Sequence, residues 1–316
     1  MTVVERTPDR TVQRLIVTGA GGQVGAALAD TARRRGYPVQ ALTRADFDIT
    51  DPDAASGLVR AGDLVINCAA YTDVDAAETD PETAVAVNAT GPGLLARACA
   101  AARARLVHLS TDYVFNGVFN GESGPRPYEV DDATGPLGVY GKSKLAGERA
   151  VLDALPNGAH VVRTSWVYTG ADGTDFVAVM RRLAGTDRTV EVVDDQAGSP
   201  TYVNDLVSAL LELADRDIRP GILHAANAGA ASRFDQARAV FADLGADPRR
   251  VRPISTAQAG RPAPRPGYGA LSMAGSVRAG LTGLRPWREA LRESLGATPQ
   301  QVSAQPAEGG RIPSTP

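Results

Sequence analysis

A glycine-rich turn between an apolar run and an amphipathic segment constrains the fold of this chain more than any other feature. The run 15–18 leads directly into residues 19–25, Gly-Ala-Gly-Gly-Gln-Val-Gly, and helical periodicity then continues to Arg35. Glycines at this spacing permit a tight turn, close approach of the backbone to a phosphate and close packing of helix on sheet. The turn predicts a dinucleotide-binding βα unit, with an ordinary glycine-rich turn as the alternative.

Short apolar runs alternate with helical patterns through the first half of the chain. The predicted strands are 15–18, 39–42, 64–69, 106–110 and 160–164, and the predicted helices are 24–35, 84–104 and 140–155. Nearly all-apolar strands that alternate with helices are typical of a parallel sheet covered by helices on both faces. The predicted fold class is therefore α/β, a Rossmann-type doubly wound parallel sheet, with ligands at the carboxyl ends of the strands.

The pattern changes after about residue 170, where short elements are separated by glycines and prolines. We predict a dinucleotide-binding domain over 14–170, which takes later strands from about 200–226. A smaller, interleaved substrate-binding lobe is predicted over 171–199 and 227–296. The ends, 1–13 and 297–316, have few periodic apolar residues and are predicted to be disordered.

The charge balance excludes several classes of partner. The chain has 33 Lys and Arg residues against 36 Asp and Glu, a net charge of -3 and no basic stripe, so nucleic acid is not an expected partner. No apolar run approaches the ~20 residues of a membrane span and residues 1–10 are polar, which predicts a cytoplasmic protein without membrane contact. Cys68 and Cys99 are predicted to be buried thiols, with a disulfide as the alternative.

The end of the second predicted strand bears on the choice of cofactor. Arg44 follows this strand, where an acidic residue would bind the ribose 2′-hydroxyl of NAD and an arginine would accommodate the 2′-phosphate of NADP. Arg44 therefore favours NADPH, whereas Asp46 and Asp48 nearby leave NADH possible. A solvated surface charge is the alternative for Arg44.

Tyr140 and Lys144 are four residues apart on a predicted helix, so their side chains share one face. An ammonium group stabilises a phenolate, and Lys144 is therefore expected to lower the pKa of Tyr140. Reduction of a carbonyl needs a proton donor beside the oxygen while hydride reaches the carbon. Thr111, at the carboxyl end of a predicted strand, is placed to hold the same oxygen. Two unrelated surface residues are the alternative for the pair, against which the glycine turn and Thr111 argue.

These patterns together resemble the short-chain dehydrogenases, whose Tyr-x-x-x-Lys motif residues 140–144 match. More narrowly, the chain resembles the dTDP-4-dehydrorhamnose reductase family from about Arg14 to Leu295. The strings that carry this resemblance are Gly22-Gln23-Val24-Gly25, Asp48-Ile49-Thr50-Asp51, Asn67-Cys68-Ala69-Ala70-Tyr71-Thr72, Ser110-Thr111-Asp112-Tyr113-Val114-Phe115, Val139-Tyr140-Gly141-Lys142 with Lys144, Gly147-Glu148, Arg163-Thr164-Ser165-Trp166 and Asp195-Gln196.

The resemblance implies NAD(P)H-dependent reduction of the C4 ketone of a dTDP-linked 4-keto-6-deoxy-L-hexose, giving dTDP-L-rhamnose. Tyr140 would donate the proton, Lys144 would bind the nicotinamide ribose, and Thr111 with Asp112 would face the sugar. The implied cofactor contacts are Gly22, Gln23 and Val24 at the diphosphate beside Gly19 and Gly25 of the turn, Asp48 and Ile49 at the adenine, and Ala70, Tyr71 and Thr72 at the nicotinamide-side ribose.

Further substrate contacts are expected from the second half of the chain. The resemblance implies that Trp166 lines the substrate pocket, with a core aromatic residue as the alternative. Arg261 and Arg265 lie among prolines and suit a diphosphate, because arginine presents a planar fork of donors, although each could also be a surface charge. The segment 263–268 departs from the usual family string, so a deoxysugar of an antibiotic or a dihydrostreptose precursor stays open as the substrate.

Some family members form a dimer around Mg²⁺ held by glutamates, one of them just after the glycine turn. This chain has Ala26-Ala27 there, so no metal is predicted, and a monomer or a homodimer is expected. Two other functions compete. A sugar-nucleotide dehydratase would carry an Asp-Glu pair directly after the catalytic threonine, whereas Asp112-Tyr113 follows Thr111. A non-catalytic regulatory subunit is the other alternative, against which the complete set of Thr, Tyr and Lys argues.

Overall fold

A computed structural model of the protein describes residues 12–118, 124–170 and 173–296. In these ranges the strands are β1 (Arg14–Thr18), β2 (Val39–Leu42), β3 (Asp63–Asn67), β4 (Arg105–Thr111), β5 (Ala159–Thr164), β6 (Val167–Tyr168), β7 (Val190–Val193), β8 (Ala197–Gly198), β9 (Thr201–Tyr202), β10 (Gly221–His224), β11 (Ala231–Ser232) and β12 (Val251–Ile254). Six of them form one parallel sheet in the order β10-β5-β4-β3-β1-β2. The predicted fold class is confirmed.

The helices of the described ranges cover this sheet and build the smaller lobe. They are α1 (Gln23–Arg34), α2 (Val74–Ala77), α3 (Pro81–Val85), α4 (Gly91–Ala102), α5 (Val139–Ala154), α6 (Phe176–Ala184), α7 (Val203–Asp215), α8 (Arg233–Asp243), α9 (Thr256–Ala259), α10 (Ala274–Arg278) and α11 (Trp287–Ser294). None of these helices has the length and apolar character needed to cross a membrane.

Both faces of the sheet are buried, which explains why its strands are apolar at almost every position. Leu15 of β1 belongs to one apolar cluster, together with Leu28 of α1 and Leu206 of α7. Its neighbour Ile16 points to the opposite face and belongs to a second cluster, together with Leu95 of α4. Because the strands of this sheet are parallel, their carboxyl ends lie at one edge, where the turns after β1, β3 and β4 meet.

The predicted helix over 84–104 is interrupted in the structure. It consists of α3, a π-helical segment over Ala86–Thr90, and α4. In the second half, β10 joins the main sheet, whereas β9 pairs with β6 in a separate two-stranded ladder. Two further ladders, β7 with β12 and β8 with β11, belong to the smaller lobe.

The predicted disorder at the two ends lies almost wholly outside the described residues. Within the first segment, Val12 is buried, and the main-chain N–H of Gln13 donates to the carbonyl of Gly62 at 3.1 Å. The two cysteines are free thiols, and Cys99 is buried as predicted, whereas Cys68 is half-buried.

Candidate active site

The glycine turn after β1 needs glycine for steric reasons. Gly19 has a left-handed φ of +67°, and a Cβ added there would lie 2.5 Å from the main-chain nitrogen of Ala69. A Cβ added at Gly25 would lie 2.3 Å from the carbonyl oxygen of Gly19. Gly22 precedes α1 and offers no side-chain acceptor to its first N–H groups. These donors are therefore open to an anion at the helix N-terminus.

A cavity of about 260 Å³ opens beside this turn. It is lined by Gly19, Gly21, Gly22, Arg44, Phe47, Asp48, Ile49, Cys68, Ala69, Ala70, Tyr71 and Val87. The structure thus brings seven of the residues predicted to contact the cofactor into one cleft. Four other predicted contacts, Gln23, Val24, Gly25 and Thr72, are not part of this lining, and the side chain of Gln23 donates to Asp175 at 3.3 Å.

The loop after β2 presents one cation to this cleft. Asp46 accepts hydrogen bonds from the main chain and hydroxyl of Thr43 at 3.0 and 2.6 Å. Asp48 accepts two similar bonds from Thr50 at 2.9 and 2.7 Å. These bonds hold the pKa of both carboxyl groups below the usual range for aspartate. Because both carboxylates are engaged within their own turns, the exposed Arg44 is the group best placed for a 2′-phosphate.

Three predicted catalytic residues, Thr111, Tyr140 and Lys144, lie together at the carboxyl end of β4. The Thr111 hydroxyl lies close enough to the Tyr140 phenol to lower the pKa of Tyr140. The Thr111 hydroxyl is itself held by the main-chain N–H of Tyr113, at 3.2 Å, and it donates to Asp112 at 3.1 Å. The ring of Tyr113 packs edge-on against Tyr140 with the centroids 5.5 Å apart. Tyr140 is thereby oriented from two sides.

The expected effect of Lys144 on Tyr140 is wrong. Burial raises the pKa of Tyr140 above its ordinary value, and the nearby Thr111 hydroxyl offsets part of this rise. The ammonium group of Lys144 instead donates to the carbonyl of Leu109 at 2.7 Å, and burial lowers the pKa of Lys144 to about 8. Tyr140 is therefore held as a neutral phenol, which is the form that donates a proton to a carbonyl oxygen.

Asn88, which the sequence analysis did not single out, ties the cofactor cleft to the catalytic helix. Its Oδ1 accepts from the N–H of Tyr71 at 2.9 Å, and its Nδ2 donates to the carbonyl of Tyr71 and to Oγ of Ser143, both at 3.0 Å. Asn88 is fully buried and lies in the π-helical segment. An isolated asparagine in an alanine-rich helical pattern was the available signal, because a buried amide must find partners.

Asp112 lies at the boundary between the sheet and the smaller lobe. Burial raises its pKa to about 6, although hydrogen bonds from Thr111 and Ser165 and the charge of Arg233 act in the opposite direction. A Cβ added at Gly269 would lie 2.6 Å from Oδ2 of Asp112, so a loop of the smaller lobe closes tightly over this carboxylate. That Asp112 faces the sugar stays a prediction.

Trp166 adopts a left-handed φ of +48°, which is uncommon for a residue with a side chain. A Cβ added at Gly198 would lie 2.5 Å from Cε2 of its ring. The guanidinium group of Arg233 lies over the ring, 3.7 Å from its centroid. Arg233 is a second site residue that the sequence analysis missed, because nothing local in its helix distinguishes it from a surface arginine.

The two arginines predicted to bind a diphosphate are both paired with Asp75 of α2. Arg265 makes two hydrogen bonds to its carboxylate, at 3.0 and 2.9 Å, and Arg261 lies 3.5 Å from it. This contact joins the smaller lobe to the loop that follows β3. The structure therefore brings Arg261 and Arg265 together near the cleft, and their role as diphosphate ligands stays a prediction.

The histidines are used within the fold. Nδ1 of His108 hydrogen-bonds to the side chain of Asn67 at 3.0 Å, and His160 and His224 hydrogen-bond to main-chain carbonyls at 2.9 and 3.0 Å. Across the described part of the chain, no group of three or more His, Cys, Asp or Glu side chains is placed to hold a metal ion.

The sheet order, the uncapped glycine turn and the oriented Thr-Tyr-Lys set are those of an extended short-chain dehydrogenase/reductase. Within that class the relatives are specific. The family described as "RmlD substrate binding domain" matches residues 13–299. The chain belongs to this family, the dTDP-4-dehydrorhamnose reductases.

Individual relatives match over almost the whole chain. The dTDP-4-dehydrorhamnose reductase of Mycolicibacterium smegmatis is 59% identical over 308 residues, which cover 98% of this chain and 91% of the relative. That of Mycobacterium tuberculosis H37Rv is 60% identical over 303 residues, covering 96% and 98%. The crystal structure of dTDP-4-dehydrorhamnose reductase from Bacillus anthracis in complex with NADP superimposes with a TM-score of 0.83 at 34% identity, covering 91% of this chain and 100% of the other.

Proposed function

We propose that this protein is an NADPH-dependent reductase of the C4 ketone of a dTDP-4-keto-6-deoxy-L-hexose, which gives dTDP-L-rhamnose. The observation that carries the proposal is that Thr111, a neutral Tyr140 and Lys144 lie together at the strand edge that borders the cleft. The names of relatives at 59% and 60% identity support the substrate, and the NADP in the B. anthracis structure supports the cofactor.

The cleft suits a phosphorylated dinucleotide, which when bound supplies the hydride. The turn 19–25 and the N-terminus of α1 would hold its diphosphate, and Arg44 its 2′-phosphate. Asp48 and Ile49 would contact the adenine. Residues 70–72 and Lys144 would bind the ribose next to the nicotinamide. NADH is a possible but weaker cofactor, because Arg44 would then have no phosphate to bind.

Tyr140 supplies the proton in this mechanism. Its hydroxyl and that of Thr111 both hold the ketone oxygen, and the phenol proton moves to that oxygen as the carbon is reduced. To hold the ketone oxygen, the Thr111 hydroxyl would turn its one proton from Asp112 to that oxygen, while the N–H of Tyr113 keeps the hydroxyl oxygen in place. Lys144, one helical turn from Tyr140, would bind the ribose next to the nicotinamide, and the Thr111 hydroxyl stabilises the phenolate left behind.

The substrate is expected to lie between the strand edge and the smaller lobe. Asp112, which is almost completely buried, would accept hydrogen bonds from the sugar, and Trp166 would line the substrate pocket. Arg261 and Arg265 would contribute to diphosphate binding if they release the carboxylate of Asp75 and bind phosphate oxygens instead. We further propose a cytoplasmic monomer or homodimer, with neither nucleic acid nor membrane as a partner.

The test is product analysis by NMR after incubation of the protein with NADPH and the dTDP-4-keto-L-sugar. The expected product is dTDP-L-rhamnose, with loss of reduced-nicotinamide absorbance. The free 4-keto sugar should be a poorer substrate in both kcat and KM, because binding of the remote nucleotide positions the ketone. Absence of reduction, an elimination product, or equal reduction of the free sugar would contradict the proposal.

A variant that lacks the proton donor tests the proposed mechanism more directly. Tyr140→Phe should lower kcat by roughly 10²–10⁴, since general acid catalysis contributes about that factor, while NADPH affinity changes little. Tyr37→Phe is the matched control. It removes a tyrosine hydroxyl that is bonded to Asp215, the last residue of α7. A Tyr140→Phe enzyme of normal rate would exclude this mechanism.

A further inference from the structure

Arg233 is a cation on the smaller-lobe side of the site that lacks a carboxylate partner. Both arginines predicted to bind phosphate are already paired, since Arg265 and Arg261 lie 2.9 and 3.5 Å from the carboxylate of Asp75. Among the residues that the structure describes, no Asp or Glu oxygen lies at salt-bridge distance from Arg233. A partly buried, unpaired guanidinium is costly for the fold, and such groups are kept where an anionic ligand pairs with them.

The guanidinium group of Arg233 is fixed in one orientation. It lies 3.7 Å from the ring centroid of Trp166 and 4.9 Å from that of Phe176. Nη1 donates to Oε1 of Gln236 at 3.2 Å. A guanidinium has five N–H donors, and this bond uses one of them. None of the buried, unpaired polar atoms of the described residues belongs to Arg233, so its remaining donors face open space.

That open space is part of the reaction site. The charge of Arg233 acts on Asp112 and Tyr113, and it lowers the pKa of both groups. Tyr113 in turn packs against Tyr140, with the ring centroids 5.5 Å apart. Arg233 therefore approaches the same cleft as the proton donor, from the opposite lobe.

We propose that Arg233 binds the diphosphate of the nucleotide sugar, and that Trp166 holds this arginine in place instead of covering the sugar with its ring face. Arg233 occupies a face of the Trp166 ring, and the ring also packs closely against Gly198. A planar guanidinium with free edges matches two phosphate oxygens at once, and stacking on an aromatic ring restricts it to that plane. The inference deepens the proposed function, since it assumes a nucleotide-sugar substrate.

The test measures equilibrium binding of dTDP and of thymidine by calorimetry, in the presence of saturating NADP⁺. Arg233→Gln should weaken dTDP binding roughly 10- to 100-fold, because charge-assisted hydrogen bonds to phosphate are lost. Thymidine binding should stay the same, because thymidine has no phosphate. Arg238→Gln is the matched control, since Arg238 is exposed on the same helix and stacks on Phe234 at 5.4 Å. This control should bind both ligands normally.

A second variant keeps the test decisive if Arg233→Gln does not fold. Arg233→Lys keeps the charge but loses the planar fork, and it should weaken dTDP binding by a smaller factor with thymidine unchanged. Equal dTDP affinity of the wild type and either folded variant would overturn the inference, as would a wild-type protein that does not bind dTDP. Binding through Arg233 without ketone reduction would instead contradict the proposed function alone.

Discussion

The carboxylate of Glu148 accepts two hydrogen bonds from the guanidinium group of Arg163, at 2.9 and 2.7 Å, and both side chains are almost completely buried. Oε1 of Glu148 also accepts from the hydroxyl of Ser110 at 2.5 Å. These bonds join α5, β4 and β5 directly behind the catalytic edge. Glu148 lies one helical turn after Lys144, and its charge raises the pKa of that lysine. The network therefore connects the stability of the fold to the charge state of the site.

Glu148→Gln is expected to lower the free energy of unfolding by about 3–5 kcal/mol, because it leaves the buried cation of Arg163 without its anion. Chemical denaturation followed by circular dichroism measures this change. Asp30→Asn removes one partner of an exposed pair with Arg33 and should change stability by less than about 0.5 kcal/mol. Similar small effects for both variants would show that the Glu148 pair does not stabilise the fold.

The same variant should change the pH dependence of activity. Lys144 acts as a cation, so kcat/KM should fall as the pH rises through its pKa of about 8. The groups around Lys144 are Glu148 and Cys68, which raise its pKa, and His108, whose own pKa lies well below the usual value. Removal of the Glu148 charge should move the alkaline limb to lower pH. An unchanged limb in a folded Glu148→Gln enzyme would contradict this role.

Asp112→Asn should stabilise the protein at pH 7 and lower its activity. The pKa of Asp112 is raised from 3.8 to about 6, so the proton that it binds stabilises the folded state below 3.8, and this contribution is lost as the pH rises through 6. At pH 7 the buried carboxylate therefore costs roughly 3 kcal/mol, which the neutral amide avoids. Thermal melts at pH 7 and pH 4 measure the difference.

The expected signature is a gain in stability for Asp112→Asn that shrinks toward zero at pH 4. Asp131→Asn replaces an exposed carboxylate near the site and should change stability by less than about 0.5 kcal/mol at either pH. A gain that is equal at both pH values would mean that the charge of Asp112 is not its cause.

The parts of the molecule that the sequence predicted are those specified by local patterns. Strands such as β1, Arg14–Thr18, were predicted because burial on both faces makes them apolar at almost every position. Tyr140 and Lys144 were found because their spacing in the chain is also their spacing on one helix. The two-residue strands of the second half were missed, since a strand such as Thr201–Tyr202 has no periodicity and depends on a partner more than thirty positions away.

The errors within the site have the same origin. The pKa of Tyr140 depends on how the surrounding elements bury it, which the spacing to Lys144 does not indicate. The break in the helix over 84–104 occurs at Asn88. Its hydrogen-bond partners are Tyr71, 17 positions earlier in the chain, and Ser143, 55 positions later. Contacts of this kind are set by tertiary packing, and no local pattern specifies them.

Asn88→Ala is expected to lower the free energy of unfolding by about 2–3 kcal/mol, because buried groups of Tyr71 and Ser143 lose their partner. It should also raise KM for NADPH more than it lowers kcat, since Tyr71 lines the cleft proposed to bind the cofactor. Denaturation and steady-state kinetics measure the two effects. Asn204→Ala, which removes an exposed amide bonded to Tyr202, should leave KM unchanged. Equal KM values for wild type and Asn88→Ala would exclude a role in cofactor binding.

Arg44→Ala should abolish the preference for NADPH over NADH. A charge-assisted hydrogen bond contributes about 1.5–3 kcal/mol, so the wild-type ratio of kcat/KM values should be tenfold or more. Asp46 and Asp48 accept hydrogen bonds from Thr43 and Thr50, so neither carboxylate is free to bind the ribose 2′-hydroxyl of NADH in place of Arg44. The loss should therefore fall on NADPH alone, with kcat/KM for NADH unchanged in Arg44→Ala. Arg60→Ala, at another exposed position, should keep the wild-type ratio. Equal kcat/KM for both cofactors in the wild type would show that Arg44 does not select the cofactor.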